Sequence, residues 1–164
     1  MRICKATEQD LPCILGIYEE ARAYMTSHGN PTQWEGGYPS EELLRSDIAG
    51  GNLYVCREGP EILGVFAYFL GEDPTYGYIE GAWCNDAPYG VIHRIAVKSH
   101  RGGIAGACFD YALSRCPELR IDTHKDNIPM QKALAKYGFT HCGKIYLENG
   151  DKRLAYQKGI WGFR

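Results

Sequence analysis

The chain has 164 residues, 45% of them hydrophobic and 23% charged, with a formal net charge of −2. That length predicts one domain spanning 1–164 with a sizeable core, and so small a charge supplies no field to draw nucleic acid or an anionic membrane surface. No apolar run reaches membrane-spanning length and the first residues hold no signal-peptide core, so the expected location is cytoplasmic. Arg2 to Ala6 reads as a first strand. Thr7 caps a helix, with Asp10 three residues on as its capping-box partner. Leu11, Ile14, Leu15, Tyr18 and Met25 share one face of that helix, which ends near Gly29. Asn30 to Gly37 is a loop carrying Trp34. Pro39-Ser40-Glu41-Glu42 opens a second helix, with Leu43, Leu44 and Ile48 apolar and Gly50-Gly51 as its stop. Leu53 to Arg57 and Ile62 to Leu70 are strands joined by the turn Glu58-Gly59-Pro60-Glu61. Tyr76 to Trp83 is expected as a further strand, followed by a loop over Asn85 to Pro88.

The next stretch, Val91 to Gly106, carries the strongest functional signal. Val91, Ile92, Ile95 and Val97 make a β-branched strand. Gly102, Gly103 and Gly106 then let backbone approach a ligand closely. Ile104, Cys108, Tyr111 and Ala112 recur at helical spacing, so a helix starts near Gly103. A strand, a glycine turn and an open helix N-terminus together form an anion site, because free N–H groups and the positive end of the helix dipole point outward. Beyond Cys116-Pro117, Leu119 to Asp122 is a short strand. Met130, Ala133, Leu134 and Tyr137 mark a helix with Gly138 as its C-cap. Phe139 to Leu147 and Arg153 to Gln157 form a hairpin around Asn149-Gly150. The mixed element order predicts an α+β fold, with a largely antiparallel central sheet flanked by helices. The seven cysteines, at 4, 13, 56, 84, 108, 116 and 142, form no CxxC pair. They read as small buried hydrophobes in a reducing compartment.

This element order and two motifs resemble the GNAT acetyltransferase superfamily over essentially the whole chain. His100-Arg101-Gly102-Gly103-Ile104-Ala105 is similar to the family's acyl-CoA pyrophosphate loop, Gln/Arg-x-x-Gly-x-Gly/Ala. Asn127 followed by Gly138-Phe139 is similar to its later Asn…Gly-Phe helix. The resemblance implies acetyl-CoA as cosubstrate, a small-molecule or peptide amine as acceptor, and direct attack of that amine on the thioester. It places the pyrophosphate on His100, Arg101, Gly102, Gly103, Ile104, Ala105 and Gly106, the pantetheine arm on the strand backbone at Ile95, Ala96 and Val97, and Asn127 in the same ligand site. Lys98 and Arg101 either add charge for the phosphates or belong to an ordinary solvated loop. His100 departs from the usual Gln or Arg. Leu134 stands where the family carries a tyrosine often proposed as general acid, and Tyr137, three residues on, reads as core packing. That departure keeps a second reading open, a catalytically silent acyl-CoA-binding or interaction module.

The chemistry asks more for a base than for an acid. A thiol of pKa near ~8.5 leaves with little proton assistance, whereas an alkylammonium near ~10.4 must lose its proton before attack. His93 is the first candidate base, its alternative being a structural histidine. Alternation puts Val91, His93 and Ile95 on one face and Ile92 and Arg94 on the other. That apolar face would desolvate His93 and hold it neutral. Glu80 and Asp122 are the carboxyl candidates for catalysis. His124 beside Asp122, with Trp34, Tyr38 and Trp83, is expected to line the acceptor site, where aromatics beside a carboxylate suit a cationic amine. The alternative for Trp34 is a lid over the core. No ligand spacing supports a metal. Nucleic acid and membrane are not expected as partners; the acceptor's identity and the oligomeric state, a homodimer included, stay open.

Overall fold

The structure, a computed structural model, describes residues 1–160. In chain order the main elements are β1 (Arg2–Lys5), α1 (Leu11–Ser27), α2 (Glu41–Ala49), β2 (Leu53–Glu58), β3 (Glu61–Leu70), β4 (Glu80–Gly81), β5 (Gly90–Val97), α3 (Ile104–Arg115), β6 (Glu118–Thr123), α4 (Ile128–Lys136), β7 (Thr140–Tyr146) and β8 (Lys152–Gly159). The hydrogen-bonding order of the strands is β1-β2-β3-β5-β6-β8-β7-β4. The ladders β1–β2, β2–β3, β6–β8, β7–β8 and β4–β7 are antiparallel, and β5–β6 is parallel. This is the mixed, mostly antiparallel α+β fold expected from the element order.

Two compact units make up the chain, and each takes two pieces of sequence. The first comprises Met1–Tyr68 and His93–Cys108. Here Thr7 donates its N–H to Asp10 Oδ2 at 2.9 Å, so the capping box forms. It closes a 3₁₀ turn over Glu8–Asp10 before α1 begins. Leu11, Ile14, Ile17 and Tyr18 are the buried residues of α1. Leu15 and Met25, expected on that face, are only half-buried. At 3.6 residues per turn Ile17 completes the stripe set by 11, 14 and 18, and Leu15 falls beside it. Ser40 Oγ accepts the Leu43 N–H at 3.1 Å and starts α2, which buries Leu44 and, unusually, Asp47. In β3, Ile62 to Tyr68 are all buried, the continuous pattern of a strand covered on both faces. A Cβ on Gly64 of that run would lie 2.7 Å from Ile104 Cγ2, so glycine there lets the first turn of α3 lie against the strand.

The second unit comprises Phe69–Ile92 and the chain from Phe109 onward. The strand expected over Tyr76 to Trp83 shrinks to the two residues of β4. Asp73 Oδ1 accepts the Thr75 N–H at 2.9 Å and Pro74 has no N–H to give, so the chain turns as a 3₁₀ helix over Pro74–Tyr76. That turn buries Tyr76 against Val91, Ile145 and Ala155. β4 then meets β7 where two glycines cross. Gly81 and Gly143 have φ of +126° and +147°, and a Cβ on Gly143 would sit 2.1 Å from the Glu80 carbonyl oxygen. Asn127 Oδ1 caps α4 by accepting the Met130 N–H at 3.1 Å. Gly138, at φ +86°, ends α4, with the Phe139 N–H donating to the Leu134 carbonyl at 2.9 Å. Among the described residues no helix is long and apolar enough to cross a membrane.

Candidate active site

In the first unit β5 runs straight into the glycine turn. Lys98–His100 form a 3₁₀ turn in which Ser99 and His100 have φ of +52° and +50°. Gly103 follows at φ +84°, a conformation that strains any residue with a Cβ. Its carbonyl accepts the Ala107 N–H at 3.1 Å, so α3 is wound from its first turn. Cβ atoms placed on Gly102 or Gly103 would meet nothing within 4 Å among the described residues. The cradle is therefore open outward, with the helix N–H groups of Ile104, Ala105 and Gly106 at its base. Residues from α1 support it: the Tyr24 ring lies 3.6 Å from the His100 ring, and Glu20 accepts the Ser99 N–H. Lys98 pairs with Glu61 at 2.9 Å and Arg101 with Glu58 at 3.4 Å. The Glu61 hydrogen bond raises the Lys98 pKa and Lys98 lowers that of Glu61. Both pairs are exposed, and exposed pairs are worth too little to hold cations from a phosphate.

β5 itself is not a regular strand. Its parallel ladder to β6 consists of Gly90↔Leu119 and Val91↔Arg120, which leaves the residues from Ile92 on outside that ladder. Arg94 has φ +56°, a left-handed residue in mid-strand. Strict alternation therefore fails: Val91 and Ile92 are both buried, His93 and Arg94 both half-buried, Ile95 and Ala96 both buried. The left-handed residue at 94 interrupts the alternation expected of Val91, His93 and Ile95 against Ile92 and Arg94, and His93 is half-buried where its two expected face-mates are buried. Such a conformation costs about 1–3 kcal/mol and persists when its surroundings over-determine it. Three side chains do so. Tyr18 Oη donates to the Arg94 carbonyl at 2.6 Å. Asp47 Oδ2 accepts from Arg94 Nη2 at 2.8 Å and from Nε at 3.2 Å. Tyr38 Oη accepts from Arg94 Nη1 at 3.2 Å. The Arg94 and Asp47 side chains are 10% and 7% exposed. Burial works to lower the Arg94 pKa, but Tyr38 and Asp47 outweigh it and raise it, so the guanidinium stays charged. Trp34 packs edge-on against Tyr18 at 5.6 Å and lies 6.4 Å from Tyr38. The loop from α1 to α2 is thus tied to β5 next to His93, and the structure brings Trp34, Tyr38 and His93 to one neighbourhood.

The remaining candidates belong to the second unit and do not form one cluster there. Glu80 is exposed on β4 and accepts a hydrogen bond from Tyr146 Oη. Asp122 is half-buried on β6, where Tyr76 Oη donates to its Oδ2 at 2.6 Å. Burial first, then the Asp122 charge, raises the Tyr76 pKa and keeps that phenol protonated. Trp83 donates its Nε1–H to the Tyr76 carbonyl at 3.1 Å and stacks under Arg120, 4.1 Å from its ring. His124 Nδ1 accepts the Asp126 N–H at 3.0 Å; burial lowers its pKa, and Arg153 adds to the shift. Asn127 is buried at the start of α4. Leu134 is fully buried, and Tyr137 meets Phe109 edge-on at 5.6 Å.

Sequence reasoning missed Tyr18, Asp47 and Arg94 as a set. One signal was available: Asp47 lies three residues after Leu44, on the apolar stripe of its helix, where a carboxylate requires a partner.

No protein-family model and no curated protein matches the chain. Solved structures do. An acetyltransferase of the GNAT family from Streptococcus agalactiae 2603 is 36% identical, with a TM-score of 0.85 over 96% of this chain and 94% of its own. An acetyltransferase structure from Staphylococcus aureus Mu50 is 26% identical, with a TM-score of 0.71 over 98% of this chain and 99% of its own. A ribosomal-protein-alanine N-acetyltransferase from Brucella melitensis, at 21% identity and a TM-score of 0.61, shares the fold. With a strand feeding an open glycine cradle and a 36% identical relative matched nearly end to end, the chain belongs to the GNAT family of acetyltransferases.

Proposed function

We propose that the protein transfers an acetyl group from acetyl-CoA to a primary amine. The observation that carries this reading is the cradle at 101–106. Gly102 and Gly103 border open space among the described residues, and the N–H groups that follow stand at a helix start, which fits a pyrophosphate. Coenzyme A supplies the activated thioester. The Arg101 to Gly106 backbone binds the phosphates, and the Ile95 to Val97 backbone pairs with the amides of the pantetheine arm as an added strand would. An amide of the same strand stabilises the oxyanion. Trp34 and Tyr38 bound the acceptor, and His93, directly or through water, takes the ammonium proton. Glu80, Asp122, Trp83, His124 and Asn127 remain proposed contributors.

The burial of Leu134 favours one alternative, a silent acyl-CoA-binding module, because no phenol stands at that position to protonate the thiolate. A panel of amines, polyamines, amino acids and peptides incubated with acetyl-CoA, with thiol release as readout, separates the two. Acceptor-dependent release supports transfer. Tight coenzyme A binding without release for any acceptor supports the module.

A further inference from the structure

Beyond its proposed contributors to the site, the second unit holds two cysteines and a buried cation in one place. Cys84, just after β4, and Cys142, in β7, have their sulfurs 3.8 Å apart. Neither forms a disulfide, and both are half-buried, so a small oxidant can reach them. The backbone brings them there. The Ala82 N–H donates to the Cys142 carbonyl at 3.1 Å, and the Cys84 N–H donates to Gln157 Oε1 at 3.1 Å. Cys142 also sits at the irregular step of the β7–β8 ladder, between His141 and Gly143. A bulged strand has room to bring its sulfur the remaining distance to the ~2.05 Å of a disulfide.

Arg120 brackets the same spot. Its guanidinium lies 4.1 Å from the Trp83 ring and 3.9 Å from the Tyr89 ring, and Nη2 donates to the Asn85 carbonyl at 2.9 Å. Cys84 is thus flanked in sequence by two residues that this one cation touches. Arg120 is 4% exposed, and among the described residues its buried Nε has no hydrogen-bond partner. A cation in such a cluster favours a thiolate, the form that reacts with peroxides. Burial first, then the neighbouring Cys84 sulfur, raises the Cys142 pKa, against a smaller lowering by Arg120. Cys84 lies between two residues that Arg120 touches, and that placement assigns it as the attacking sulfur, with Cys142 on β7 as the one that resolves.

We propose that Cys84 and Cys142 are a redox-active pair, which hydrogen peroxide converts to a disulfide that fastens the 82–89 loop to β7. The Cys84 thiolate attacks one peroxide oxygen; the O–O bond breaks, hydroxide leaves and takes up a proton, and Cys84 becomes a sulfenic acid. The Cys142 sulfur then attacks the Cys84 sulfur. The S–O bond breaks, and water departs with the Cys142 proton. Two thiols lose two protons and two electrons, and peroxide takes them up to become two waters.

The inference stands apart from acyl transfer, and its test reads sulfur directly. The full chain is treated with stoichiometric hydrogen peroxide, then mapped by proteolysis and mass spectrometry without reduction. A crosslinked pair of peptides containing Cys84 and Cys142, released by dithiothreitol, is the expected result. In Cys142→Ser a dimedone adduct should appear on Cys84, and in Arg120→Gln that adduct should form about tenfold more slowly. Oxidation confined to Cys4 or Cys13, or adducts on both partners with no crosslink, overturns the proposal. Labelling of Cys142 in Cys84→Ser, with Cys84 inert in Cys142→Ser, overturns the assigned order of attack.

Discussion

The proposed transfer needs a base for an alkylammonium near β5, and His93, next to the left-handed Arg94 on that strand, is the proposed one. His93→Gln should lower kcat by about 10²-fold. It should also remove a rising limb from the pH–rate curve, while coenzyme A affinity by calorimetry stays unchanged. An intact pH profile would move the proton to a water chain or to Glu80. Asp47→Ala addresses the clamp beside it. The variant leaves the Arg94 guanidinium buried without its carboxylate, and breaking such a pair costs about 3–5 kcal/mol. Chemical denaturation should read a loss of that order, and an exposed pair of equal length would read almost none. Leu134→Tyr should not restore a general acid. Leu134 is fully buried, so the larger ring overpacks its site and carries a hydroxyl into the core. Lower stability with unchanged turnover is the expected outcome, and a large gain in turnover would contradict it. The clamp illustrates what a sequence hides. Arg94 sits among β-branched residues, and alternation sets it only on the face opposite Val91, His93 and Ile95. Only the positive φ, held by side chains 76, 56 and 47 positions away in sequence, turns it inward. Local patterns carry no information about such distant partners.

The glycine turn was legible as an element because its demands are local. A strand, two adjacent glycines and a helical repeat within sixteen residues leave few other conformations, and the structure places α3 one residue after Gly103. The two-residue β4 was not legible. Tyr76 to Trp83 has strand-like composition, yet the Asp73-Pro74-Thr75 turn before it and the glycine crossing with β7 decide the path. Composition reports neither. The turn gives a graded test of phosphate placement. Gly102 has no positive φ and its Cβ would face open space, so Gly102→Val leaves the backbone unstrained and fills only the approach to the cradle. Gly103→Val fills the same approach and adds strain of about 1–2 kcal/mol at φ +84°. Both should weaken coenzyme A by at least about tenfold in calorimetry, and only Gly103→Val should also lose melting temperature. Unchanged affinity in a folded Gly102→Val protein would move the phosphates elsewhere.

Element order is read along the chain, but the units the elements form are not. Residues 69–92 join the chain from Phe109 onward, and 93–108 join the N-terminal part, so the division cuts through β5 between Ile92 and His93. Nothing in a strand of β-branched residues marks such a cut, because it depends on which distant segments each half packs against. Titration supplies a measurement on each unit separately. In the first, burial raises the Asp10 carboxyl pKa, but the hydrogen bond from Arg57 and those within the capping box lower it further, and the net shift is downward. In the second, burial lowers the His124 pKa, with Arg153 adding to it. Both folded groups therefore bind protons less readily than their unfolded counterparts, whose pKa values lie near ~3.9 and ~6.5. Wherever the unfolded state holds more protons, stability rises with pH. The His124 contribution is complete above about pH 6.5 and is lost as pH falls through its depressed folded value. The Asp10 contribution is complete above about pH 3.9 and is lost only below that. Denaturant midpoints recorded from pH 8 downward should thus decline in two separate windows. His124→Gln should flatten the upper window alone. Asp10→Asn should remove the lower one and lower stability at neutral pH by about 1.5–3 kcal/mol, the range for hydrogen bonds to a charged group. A midpoint that rises on acidification, or a single window erased by either substitution, would contradict the assignment.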